Sequence, residues 1–69
     1  MSDPMLPQEI ADNATSEFCC ADVRVLVDED TMASALYIGS EPIMGMSPLA
    51  LERMANALSR ANNFVNQED

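Results

Sequence analysis

Sixty-nine residues make one small domain at most, and twelve Asp and Glu against three Arg, with no Lys and no His, set the formal net charge at −9. So few cations cannot neutralise a run of phosphates, which argues against direct nucleic-acid binding and against anionic membrane surfaces. Without a histidine, acid–base catalysis lacks its usual residue, so neither an enzyme nor a cofactor-dependent protein is expected.

Hydrophobic residues are 48% of the chain, enough for a packed fold and too many for a disordered acidic tail. A core this small usually needs a staple or a second subunit. The cysteines are Cys19 and Cys20, adjacent in sequence, and a strand would point them to opposite faces rather than into a cross-link. There is no CxxC pair and no histidine to complete a zinc site, so no metal is expected and self-association is the expected source of the missing stability. The opening MSDPMLPQEI lacks the basic and apolar runs of a secretory signal, and nothing approaches the roughly 20 apolar residues of a membrane span. Cytoplasmic residence is the expectation, with the Asn13-Ala14-Thr15 sequon unused.

In chain order, residues 1–17 read as a flexible acidic tail: Pro4 and Pro7 interrupt backbone pairing, and Asp3, Glu9, Asp12 and Glu17 follow no period. Met5, Leu6 and Ile10 are the tail residues able to dock elsewhere. The domain proper spans 18–66, and 67–69 form an acidic end. From Phe18 to Val27 the period becomes two, with Cys19, Val23, Val25 and Val27 on one face and Cys20, Asp22, Arg24 and Leu26 on the other, which predicts a strand. Asp28-Glu29-Asp30-Thr31 reads as an acidic turn. Met32 to Gly39 fits a second strand, through Tyr37-Ile38, or a short helix, through its alanines. Gly39 to Met46 reads as an oily connector broken by Gly39, Pro42 and Gly45. Ser47 as N-cap and Pro48 at the first helical position then open a helix to about Phe64. Its main stripe is Leu51, Met54, Ala55, Leu58, Ala61 and Val65, and a second stripe carries Ala50, Arg53, Ala57, Arg60 and Phe64.

The expected fold is therefore α+β: a β-hairpin followed by a C-terminal helix (ββα), completed as a homodimer, with one strand plus two helices as the alternative. A two-stranded sheet under one helix leaves both edges open, and a twofold pair is the commonest way to close such a surface.

Candidate sites point to binding rather than chemistry. Asp28-Glu29-Asp30 fails as a calcium loop, because the sixth and twelfth places hold Ala33 and Gly39 where a Gly and an acid are needed. Residues 1–17 carry −4 and 68–69 carry −2, leaving −3 on the body, so the acidity serves solubility better than mimicry of nucleic acid. Cys19 and Cys20 read as one buried and one half-exposed structural thiol. The expected partner-binding residues are Tyr37 as a lone aromatic, Met44 and Met46 as adaptable loop contacts, and Arg53, Arg60 and Phe64 on the second helix stripe. Ordinary packing explains Tyr37, Met44 and Met46 as well, and solvation or pairing with Glu52 explains the arginines.

In size, acidity and lack of chemical apparatus, this −9 chain of 69 residues resembles the small acidic accessory proteins of bacteriophages and mobile elements, of anti-activator or anti-CRISPR type. The resemblance transfers no residue roles. It implies a module in the host cytoplasm that inhibits or modulates a larger host protein, such as a transcription regulator or another DNA-binding protein, by occupying a functional surface. An acidic surface would help by opposing a basic one. The alternative is a structural or accessory subunit of a permanent complex.

Overall fold

The computed structural model describes residues 6–67. Their order is α1 (Pro7–Asp12), β1 (Ser16–Cys20), β2 (Val23–Asp28), β3 (Ala33–Ile38), β4 (Glu41–Met46) and α2 (Pro48–Val65). The strands form one antiparallel sheet in the order β1-β2-β3-β4. The chain is thus α+β with its C-terminal helix as expected, and the second candidate strand is β3, but the sheet has twice the expected number of strands.

Both extra strands trace to turns that sequence patterning hides. Phe18 to Val27 looks like one strand, yet the chain reverses at Ala21-Asp22, pairing Cys20 with Val23 and Phe18 with Val25. Ala21 takes φ 55 to make the reversal, a conformation that costs a non-glycine residue roughly 1–2 kcal/mol. The reversal also shifts the alternation: Phe18 and Cys20, not Cys19, share a face with Val23, Val25 and Val27. β4 fills the supposed connector. Gly39 supplies φ 64 in the Gly39-Ser40 turn, and Ile38 then pairs with Glu41. Pro42 lacks an N–H, which an edge strand tolerates. The register slips between Leu36 and Tyr37, so Leu36 faces Met44, Tyr37 faces Pro42 and Ile43 is the extra, bulged residue.

The acidic turn between β2 and β3 is structural. Asp28 is buried, its Oδ1 accepts from the Asp30 N–H at 3.0 Å, and its carbonyl accepts from Met32 N–H at 2.6 Å. Thr31 Oγ1 accepts from Ala33 N–H at 3.3 Å, and Met32 closes the loop at φ 61. Glu29 ties the turn to the Ser16 hydroxyl of β1.

One face of the sheet holds Leu26, Ala33, Ala35, Tyr37 and Gly45. Small side chains at Ala33 and Ala35, which are 4% and 0% exposed, let α1 approach and insert Ile10, itself buried. Leu26 and Tyr37 flank this cluster. The described part of the expected tail therefore forms α1 and opens β1; Asp3, Pro4 and Met5 lie outside the described residues, as do Glu68 and Asp69. Pro7 starts α1 at its first position, Asn13 Nδ2 donates to the Glu9 carbonyl at 3.2 Å at its end, and Thr15 N–H bonds to the Val27 carbonyl at 2.8 Å.

The opposite face holds Phe18, Val23, Val25, Leu36, Ile38 and Met44 among others. There Ser34 and Met46, a cross-strand pair, are each 1% exposed. Besides α1, α2 is the one helix among the described residues that contacts β3 and β4, and it starts directly after Met46 and Ser47 at this corner. The rest of the face stays open.

Candidate interaction surface

α2 is built by local rules. Ser47 Oγ accepts from the Ala50 N–H at 3.2 Å, Pro48 occupies the first turn, and Leu51 N–H begins the helical ladder by bonding to the Ser47 carbonyl at 2.9 Å. Asn66 ends it, its Nδ2 donating to the Asn62 carbonyl and to Asn62 Oδ1, both at 2.8 Å. Eighteen residues rise about 27 Å. None of them is buried. Only Leu51 and Met54 are half-buried, against β3 and β4, and from Ala55 onward every residue is exposed. The radius of gyration, 13.3 Å, exceeds the about 11 Å of a compact chain this long, because the helix runs off the end of the sheet.

At 100° per residue the helix presents two stripes. Leu51, Met54, Leu58, Ala61 and Val65 follow a three-four spacing and form an apolar seam. Arg53, Ala57, Arg60 and Phe64 form the other, a quarter to a third of the way round. Arg53 and Arg60, with Asn56, Ala57 and Ser59, line a shallow concavity. Neither arginine is in an ion pair among the described residues; the one pair there is Arg24 Nε with Glu17 Oε2 at 2.8 Å. Phe64 is 76% exposed.

The six expected contact residues do not form one surface. Arg53, Arg60 and Phe64 share the helix stripe. Tyr37 lies on the α1 face, half-buried, under the Arg24 guanidinium at 5.8 Å from its ring centre, so it is already partnered. Met44 sits on the opposite, open face. Met46 is a correction: it is β-sheet core, not a loop contact, because the connector it was assigned to is a strand and α2 folds over its end. Cys19 and Cys20 also depart from expectation, both being exposed, since β1 is an edge strand that neither helix covers.

The open face supplies residues that sequence reading passed over. Phe18, Val23 and Ile38 are 63%, 43% and 50% exposed, beside the already expected Met44 at 36%. Leu58 and Val65 on the helix seam are similarly bare. The signal for the face was the valine alternation, obscured by the unrecognised reversal at Ala21. Among the described residues no three His, Cys, Asp or Glu side chains gather, and no helix is long and apolar enough to cross a membrane. Comparison with protein-family models, curated proteins and solved structures finds no significant match to this chain.

Proposed function

We propose that this chain is an acidic protein-binding module of the cytoplasm that inhibits or modulates a larger host protein by covering one of its functional surfaces. The observation that carries the reading is an eighteen-residue helix that buries none of its residues. Isolated helices owe little stability to propensity alone, so an exposed amphipathic helix implies a polypeptide surface to receive it. Arg53, Arg60 and Phe64 supply contact chemistry of the kind that dominates interfaces: an aromatic anchor, and two cations unpaired among the described residues in a chain of net charge −9. They suit an acidic patch on the target. The remaining acidic body would oppose a basic surface beside that patch, as on a transcription regulator or other DNA-binding protein.

The test is capture from a host lysate by the tagged chain against the Arg53→Glu/Arg60→Glu variant. Retention of one protein that falls about tenfold in the variant, equivalent to about 1.4 kcal/mol, supports the stripe. Equal retention by both removes it. A second reading, an accessory subunit of a permanent complex, is favoured by the bare Phe18, Val23 and Ile38 on the sheet; such a subunit would be insoluble without its coexpressed partner.

A further inference from the structure

The β1 flank of the sheet carries main-chain groups that nothing among the described residues uses. On the β3 side of β2, the Gly39 N–H bonds to the Asp22 carbonyl at 2.7 Å; on the β1 side, the Thr15 N–H bonds to the Val27 carbonyl at 2.8 Å. Successive residues of an antiparallel strand turn their N–H and C=O groups to opposite flanks. Val23, Val25 and Val27 therefore bond toward β1, where they face Cys20, Phe18 and Ser16. The residues between these, Glu17 and Cys19, send their N–H and C=O groups outward. Among the described residues β1 contacts no element except β2, and both helices lie against the strands beyond it. Two donors and two acceptors thus stand at an uncovered edge.

Their spacing is self-complementary. Glu17 and Cys19 flank Phe18, so an antiparallel twin centred on Phe18 sets Glu17 of each copy against Cys19 of the other. Every outward group on both strands is then bonded. Phe18 meets Phe18 of the partner copy at the close, non-hydrogen-bonded position, with about 4.5 Å between Cα atoms, and cross-strand aromatic pairs favour such pairing. Other registers do worse. A slip of two residues one way sets Glu17 against Glu17 and Cys19 against Thr15, whose N–H is already bonded. The opposite slip sets Cys19 against Cys19 and leaves Glu17 facing the turn at Ala21. Charge does not oppose the centred register, because Glu17, the acid of this strand, is neutralised in its own chain by Arg24 Nε at 2.8 Å. The β4 flank of another copy does not fit, since Pro42 lacks a donor and the extra residue at Ile43 breaks the alternation.

We propose that two copies of this chain pair through their β1 strands, antiparallel about Phe18, into one continuous sheet of twice the four strands of each copy. The twofold axis stands perpendicular to the sheet, so the two open apolar faces lie on one side and the two α1 helices on the other. The pair gives residues and a register to the self-association expected of so thin a fold, and it does not depend on the target-binding stripe of α2.

A few main-chain bonds and one aromatic pair make a small contact of the kind found in weak complexes. Sedimentation is therefore followed from about 10 μM to about 1 mM. Salt at about 0.15 M confines the repulsion between chains of net charge −9 to about 8 Å. The mass should rise from 7.5 kDa to twice that value. Over the same range, exchange of the Glu17 and Cys19 amide hydrogens should slow together, about tenfold where nine-tenths of the chains are paired. Cys19→Pro removes an outward donor and leaves the β1–β2 bonds in place, which an edge strand tolerates. This variant should keep its far-ultraviolet circular dichroism and stay at the single-chain mass, whereas Cys19→Ser should still pair. Wild type at single-chain mass throughout overturns the proposal. So does a folded Cys19→Pro protein that pairs, which would place the contact on the open sheet face or on α2. Protection of neither amide, or of only one, in a paired wild type overturns it as well, one alone meaning a slipped register. Should the proline variant unfold, exchange in the wild type decides the matter. The Arg53→Glu/Arg60→Glu variant should pair as the wild type does, which separates this result from the fate of the target-binding reading.

Discussion

The two helices of this chain invert the usual relation between length and attachment. α1 has six residues and no side-chain cap, and it is pinned through one buried side chain, Ile10, over two alanines. α2 has eighteen residues, a serine cap, a proline start and strong helix formers, yet none of its residues is buried and only Leu51 and Met54 are half-buried. Tertiary burial sustains the first; the second has caps and helix formers but little burial within its own chain. A long regular helix in a sequence therefore says little about where the core lies, and a short proline-led stretch can be part of it.

Substitutions can break that contrast at either end. The largest loss is expected for Ile10→Ala, about 2–4 kcal/mol in urea unfolding, since it empties the plug that holds α1 to the sheet. Ala35→Leu attacks the same contact from below: a larger side chain where Ala35 is 0% exposed should lift α1 at a cost of about 1–3 kcal/mol. At the root of α2 the sign reverses. Ser34 Oγ is buried and has no hydrogen-bond partner among the described residues, so Ser34→Ala should stabilise the fold by about 1–2 kcal/mol. Ser47→Ala, removing the N-cap, should cost about 1 kcal/mol and lower helicity at 222 nm. Least affected is Leu58→Ala, which should change single-chain stability by less than about 0.5 kcal/mol when measured in dilute solution. A large single-chain loss there would mean that α2 is packed within its own chain after all.

The same contrast explains what could be read in advance. α2 was legible almost to its boundaries, because capping by Ser47, Pro48 and the recurrence of Leu51, Met54 and Leu58 are local signals. β3 was legible from Tyr37-Ile38, although a helix competed for it. β4 was not, because Pro42 and Gly45 suggest a loop, and only an edge position with a bulge at Ile43 makes them compatible with a strand. β1 was lost in the alternation of β2, since Ala21-Asp22 carries none of the glycine or asparagine that marks a tight hairpin. α1 depended on Ala33 and Ala35, far along the chain, and no periodicity within residues 7–12 reports them. For the surface, the arginine stripe followed from helical spacing alone, whereas the open sheet face required knowing where the chain turns. Met46 failed for the same reason as β4.

The edges of the sheet differ in one further way. On β4, Pro42 withholds a donor and the extra residue at Ile43 bends the strand; β1 has neither device. Lateral growth by strand addition is therefore open on one flank and blocked on the other. If two β1 flanks meet, both outer margins of the combined sheet are β4, and no third copy can add. In such a pair, stacking into fibrils by strand addition is stopped by the β4 margins rather than by charge.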